Sequence, residues 1–306
     1  MAANLTRKKQ MRLVTLGAFT SAIVSTQCYG NSVYIGADRY EYLTEVSEIK
    51  LDYRLAGLAI GGELDLSESV FLQVGVGRWT DDISLKDSGS SDITSELKNV
   101  GVGYAMGNWE FFASYSVIED EMEIIHGMNQ EFFTSADIES NITHVDVSYQ
   151  WEIGLWAHTL LVGVQRDQKK IEADLDDPKM ELSDTTEANY ANIKWSTDYY
   201  FYIADDAGIY LGASVDWYDR LSGDSGDDNA GGPAPAGGPG GGGGGGGGNN
   251  NGGGGGGRTS GDNGGIFGLY FAFDMDANWS VDVNTTFGVA GDADESAYSV
   301  TLTYTL

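Results

Sequence analysis

The last ten residues, Ala297 to Leu306, alternate without a break. Tyr298, Val300, Leu302, Tyr304 and Leu306 are apolar or aromatic, while Ala297, Ser299, Thr301, Thr303 and Thr305 are small or polar. Successive side chains of a strand point to opposite faces, so this segment has one oily face and one wet face. Tyrosines near the ends of the oily face suit a strand with lipid outside and water inside.

Eleven earlier stretches alternate in the same way: roughly 32–42, 49–63, 70–80, 95–106, 109–118, 141–151, 156–166, 189–203, 209–220, 266–275 and 279–289. Each approaches or exceeds the roughly 9–11 residues that a tilted strand needs to cross a bilayer. In the third, Val70, Leu72, Val74 and Val76 share one face, and Gln73, Gly75 and Gly77 the other. In the fifth, Trp109, Phe111, Ala113, Tyr115 and Val117 face out, and Glu110, Ser114 and Ser116 face in. The adjacent Leu160 and Leu161 leave the facing of the seventh open.

The connections alternate too. Residues 64–69, 107–108, 152–155, 204–208 and 276–278 form short links, whereas 81–94, 119–140, 167–188 and 221–265 form long ones. Two intermediate links, 43–48 and 290–296, fall on the long side. Short turns at one end and long loops at the other is the asymmetry of an outer-membrane barrel. The expected fold is all-β: a closed, antiparallel, up-and-down transmembrane β-barrel of about 12 strands, with the last strand pairing to the first. A soluble sandwich also alternates, but these strands are long for one. Aromatic residues also cluster at strand ends, at Tyr40, Tyr42, Trp79, Trp109, Trp151, Trp156, Tyr199, Trp217, Trp279 and Tyr298, as a membrane girdle requires.

Residues 1–30 form a targeting segment. Arg7, Lys8, Lys9 and Arg12 supply a basic region, a short apolar stretch follows, and Cys28 and Gly30 take the small-residue places of a cleavage site. The expected organisation is a signal peptide over 1–30 and a barrel over 31–306. Cys28, the only cysteine, leaves with the signal peptide, and no disulfide framework exists. Removing residues 1–30 leaves 13 Lys and Arg against 46 Asp and Glu, a net charge of −33. That charge excludes nucleic acid as a natural partner. Acidic loops instead suit solubility, or divalent cations that bridge them to anionic headgroups. Within 221–265, Gly240–Gly248, Asn249–Asn251 and Gly252–Gly257 have no apolar surface to bury, so a disordered external loop is expected.

Little else points to chemistry. Gly252 to Thr259 resembles a phosphate loop only by chance: Arg258 stands where lysine is needed and no helix follows. His144 and Asp146 share the inner face of the sixth stretch. Strand neighbours two apart lie roughly 7 Å from each other, so no direct hydrogen bond is expected between them, and no nucleophile signature stands nearby. The alternation places Lys50, Asp52, Arg54, Glu110, His144, Asp146, Lys194, Asp198, Asp216, Asp274 and Asp282 in the lumen. Acids there outnumber lysine and arginine seven to three. Such a lumen is either plugged by paired charges or is a narrow passage favouring cations. No cofactor and no catalytic or metal site is expected; the surface loops offer a binding function as the alternative, and a hydrolase built on His144 and Asp146 is the third and weakest reading.

Twelve strands over about 31–306, closed by the alternating Ala297–Leu306 segment with Tyr304 third from the end, resemble the translocator barrels of autotransporters. The chain looks most like a solitary member of that type. It departs from full autotransporters in having neither a passenger nor a linker helix before Ser32, so self-secretion is not expected. The terminal Leu306 replaces the usual final Phe or Trp. The resemblance implies insertion by the outer-membrane assembly machinery, with membrane lipid and lipopolysaccharide as neighbours.

Overall fold

The computed structural model describes all residues except 1–30, 47–48, 86–88, 127–134, 175–180, 205–206, 224–262, 276–277 and 292–294. The expected signal peptide and the glycine tract therefore lie outside the described residues. Twelve strands are present: β1 Ser32–Val46, β2 Ile49–Asp65, β3 Val70–Leu85, β4 Gly89–Met106, β5 Trp109–His126 and β6 Ser135–Ile153, followed by β7 Trp156–Asp174, β8 Glu181–Ala204, β9 Ala207–Gly223, β10 Asn263–Asp274, β11 Trp279–Gly291 and β12 Glu295–Thr305. Each pairs antiparallel with its sequence neighbours, and β12 pairs with β1 to close the barrel. The seam runs from Ser32 opposite Thr305 to Tyr42 opposite Glu295. Below it, the Leu306 amide donates to the Asn31 carbonyl at 2.8 Å.

Two links are as short as hairpins allow. Gly107–Asn108 joins β4 to β5, and Gly154–Leu155 joins β6 to β7. Gly107 and Gly154 have φ of 63° and 71°, a region that costs glycine nothing and penalises a side chain. At the opposite end the strands run further than expected. β8 spans 24 residues and β5 spans 18, where alternation suggested 15 and 10. The reason is the outward face of the extensions. On β5 and β6 it carries Glu119, Glu121, Asp137 and Glu139, so the apolar signal stops at the membrane edge while the hydrogen-bonded ladder continues.

The faces segregate as a bilayer demands. Val74, Val76, Val100, Val102, Phe111, Val145, Val162, Val164, Ile193, Leu211, Val283 and Val300 are among the large apolar side chains left exposed around the wall. An apolar band that encircles the fold is stable only against hydrocarbon. Aromatic pairs mark its short-turn edge: Trp109–Tyr149, Trp156–Tyr199 and Trp279–Tyr304, with ring centroids 4.7, 4.8 and 4.7 Å apart. Trp79 does not belong to that girdle. It shares odd-numbered β3 positions with Phe71 and Gln73, faces inward and is 1% exposed. The facing of the seventh strand is settled: Leu161 is buried inside and Leu160 is exposed outside.

Inward rings lie flat on the wall because glycines make room for them. A Cβ on Gly77 would fall 1.8 Å from the Trp79 ring, one on Gly103 1.9 Å from Phe71, and one on Gly101 2.4 Å from Phe112. Tyr34 covers Gly61, Tyr200 covers Gly208, Tyr270 covers Gly212 and Tyr218 covers Gly264 in the same manner. Each pair buries an aromatic ring on a neighbouring backbone, which compensates for the lost side chain of a strand glycine. At Gly57 the added Cβ would lie 2.1 Å from the Arg78 carbonyl oxygen and 2.3 Å from Trp79, so neither neighbour can yield cheaply. Gly57→Ala is therefore expected to destabilise the barrel by about 1–3 kcal/mol, the usual range for overpacking. Urea unfolding in lipid vesicles measures this, and an unchanged midpoint would contradict the assignment.

Candidate functional site

Among the described residues, the inner face is a large polar surface of the wall. Glu110, His144, Asp146, Lys194, Asp198, Asp274 and Asp282 are all buried, and Asp216 is partly buried. One register row crosses five strands, from Glu110 through Ser148, Leu161 and Lys194 to Asp216. Lys194 interacts with the carboxylates of Asp216, Asp198 and Asp146. Glu110 in turn faces Asp146, and Glu63 faces Glu110. Acids thus adjoin one another across β2, β5, β6, β8 and β9, with Lys194 as the cation among them.

His144 and Asp146 do meet, contrary to the expectation from strand spacing. His144 Nδ1 lies 3.2 Å from Asp146 Oδ2, and both side chains are almost wholly buried. The space comes from β7. Gly163 stands opposite Asp146, and a Cβ there would fall 2.9 Å from His144 Nε2 and 2.6 Å from Asn192 Oδ1. With that position open, both side chains can lean along the strand over a bare backbone, and roughly 7 Å of Cα spacing is bridged.

The stretch 49–63 holds two phases: apolar residues occupy odd positions from Ile49 to Leu55 and even positions at Leu58 and Ile60. The pairing with β1 runs without a shift from Ile49 to Glu63. Leu55 and Ala59 are buried inside, while Leu58 and Ile60 are exposed. The side chains of Lys50, Asp52 and Arg54 lie outside the described residues.

Other inward acids were readable but not read. Asp38 continues the buried positions Ser32, Tyr34 and Gly36 of β1. Glu63 follows the odd phase of β2. Asp120 and its neighbour Lys169 sit beyond the apolar part of β5 and β7, where alternation no longer shows. The wall is also less uniformly polar than expected. Leu97 and Ile118 are opposite each other on β4 and β5, and Ile93 and Ile138 are buried on β4 and β6. In this long-loop half of the β4–β6 inner wall these apolar side chains alternate with Ser95, Asp120 and Ser140, whereas the half nearer the short turns carries Glu110 and Asp146.

Among the described residues, no group of three or more His, Cys, Asp or Glu forms a metal cluster. No family model matches the chain, and no curated protein sequence matches it. Solved structures do. The translocator domain of the autotransporter NalP from Neisseria meningitidis is 13% identical, with a TM-score of 0.59 over 92% of this chain and 90% of that one. The β-domain of the Bordetella autotransporter BrkA is 10% identical, with a TM-score of 0.62 over 90% of this chain and 99% of that one. The chain has the fold of a twelve-stranded outer-membrane barrel, similar to the translocator barrels of autotransporters.

Proposed function

We propose that this chain is exported to a Gram-negative outer membrane, inserted by the assembly machinery among lipid and lipopolysaccharide, and passes small cations through a narrow, acid-walled lumen. The observation that carries the reading is Glu110. It is 1% exposed, neither carboxylate oxygen has a hydrogen-bond partner, and its charged neighbour is another acid, Asp146. A dry, unpaired carboxylate costs several kcal/mol even after relaxation. Water or a mobile cation relieves that cost, and a field of acids repels anions. The apolar stretch around Leu97 and Ile118 keeps the passage narrow.

His144 and Asp146 have a structural part in this reading. The imidazole partners a carboxylate that would otherwise add to the repulsion around Glu110. Neither side chain is exposed enough to meet a bulky substrate. A second reading, surface binding, is favoured by one observation. On the external part of β5 and β6, Glu119 is directly opposite Glu139 and Glu121 opposite Asp137. Like charges so placed weaken a sheet. A cationic partner or bridging cation would offset that cost.

Three results are expected. In planar bilayers under a salt gradient, the purified protein shows a small conductance with a cation-sided reversal potential, and Glu110→Gln with Asp146→Asn moves that potential toward zero; no conductance, or an anion-sided potential, would contradict the passage. His144→Ala lowers unfolding stability by about 1–3 kcal/mol, the cost of an unsatisfied buried polar group. Lipase or protease activity in the parent protein that this variant abolishes would make the pair catalytic instead. For the second reading, joining Glu121 directly to Asp137 through a short turn should reduce polylysine binding to cells that display the barrel, and unchanged binding would remove it.

A further inference from the structure

We propose that the outward face of β1 to β5 seats one phosphorylated, acylated glycolipid of the outer leaflet, a lipopolysaccharide. An acyl chain lies in a groove of the wall, and a phosphate sits on Arg78 and Lys98. The inference rests on the proposed place in an outer membrane, which it deepens, and not on conduction.

The groove arises from two adjacent rows of outward positions. Val33, Gly62, Val74, Val100 and Tyr115 stand opposite one another in turn across β1 to β5. The next row toward the long loops runs Ile60, Val76, Lys98 and Val117. Gly62 contributes no side chain, and valine is short, so the wall dips between its longer neighbours. The result is a groove of about 570 Å³ on the lipid-facing side, apolar along its length and ended by Lys98 and Tyr115. Tyr34 lies against Gly61 from the lumen side, which backs the wall there. Val33, Val74 and Val76 are about half exposed, so no part of the barrel covers this surface. A flexible hydrocarbon chain fills such a groove with close contacts that a flat wall does not offer.

A second, independent observation is the charge beside the groove. The mature chain has 13 Lys and Arg against 46 Asp and Glu. Here the balance reverses. Among the described outward side chains of β1 to β4 toward the long loops, Arg39, Arg78 and Lys98 are cationic and only Glu96 is acidic. Lys98 stands between Val76 and Val117, so its ammonium must rise along the wall to reach a headgroup. Arg78 is opposite Glu96, two residues from Lys98. Diagonal neighbours of this kind have Cβ atoms roughly 7–8 Å apart, and both side chains are long enough to converge on one phosphate. Their carboxylate partners are exposed: Arg78 lies 3.5 Å from Glu96, and Lys98 lies 2.7 Å from Glu119. Exposed pairs are weak, and phosphate offers more charge and more acceptor oxygens than a carboxylate. The position of the cations sets the leaflet. They lie toward the long loops with the groove below them, so the headgroup points outward. An inner-leaflet phospholipid would carry its phosphate at the opposite edge, beside Trp109 and Tyr149.

Native mass spectrometry tests the seat on the mature chain folded in detergent and incubated with bisphosphorylated lipid A. One lipid retained per barrel is expected, with less retention of dephosphorylated lipid A and of phosphatidylglycerol. Arg78→Gln with Lys98→Gln should lower retention of the bisphosphorylated lipid by at least roughly tenfold, as expected when charge-assisted contacts are lost. Val74→Trp, which fills the groove from a lipid-facing position, should lower it as well. Arg166→Gln removes an outward cation of β7 away from the groove and should leave it unchanged. Heat-modifiable gel mobility verifies that each variant has folded, and Lys98→Gln alone gives the comparison if the double variant has not. A parent that keeps no lipid A, or keeps phosphatidylglycerol or the dephosphorylated lipid equally well, would overturn the proposal. So would an equal loss in Arg166→Gln, or unchanged retention in the folded charge and groove variants. A lipid-free dimer in the same spectra would assign the groove to a second copy of the chain instead. Because retention is read in detergent, a barrel that shows no conductance can still hold the lipid, and a conducting one can lack it.

Discussion

Hydrocarbon offers no hydrogen bonds, so every backbone amide and carbonyl at membrane depth must find its partner within the protein. A single strand cannot meet that demand, and an open sheet leaves two edges unmet. Closure between β1 and β12 removes both edges at once, from Ser32 opposite Thr305 to Tyr42 opposite Glu295. The remaining features of this chain follow from the closed cylinder. Apolar side chains must face out around the whole circumference, polar and small ones are confined inside, and the interior must be organised without a conventional core.

The interior is organised by rings lying on glycines. Trp79 on Gly77, Phe71 on Gly103 and Tyr270 on Gly212 place large apolar groups against neighbouring backbone. This arrangement holds neighbouring strands together while leaving the acids Glu110, Asp146, Asp198 and Asp282 along the inner face.

Alternation made the architecture legible because a closed transmembrane barrel imposes a two-residue period on every strand. It succeeded at Ala297–Leu306 and at β5, where Phe111 is exposed and Glu110 buried. It failed where the period says nothing about phase or distance. β2 carries two phases, and only its pairing with β1 decides that Leu55 points inward. Trp79 ends the alternating stretch like a girdle residue, yet β3 runs on to Leu85 and its parity turns Trp79 inward. The contact between His144 and Asp146 depends on Gly163 of the next strand, which no local pattern contains. Strand extensions such as β8 were hidden because polar residues replace the outward apolar ones above the membrane. The inward placement of Asp38 needed no more than the parity of Val33, Ile35 and Ala37.

Closure of the sheet in lipid is most directly measured by a disulfide across the seam. Ile35 and Leu302 are opposite each other at the β1–β12 pairing and share the outward face, whereas Val283 lies one strand further on. In a Cys28→Ser background, Ile35→Cys with Leu302→Cys should oxidise within a single chain and preserve a folded gel mobility after partial heating. Ile35→Cys with Val283→Cys, whose sites lie more than roughly 9.5 Å apart across two strand spacings and a two-residue offset, should not. Intermolecular dimers, or no cross-link in the Ile35–Leu302 pair, would contradict a closed barrel.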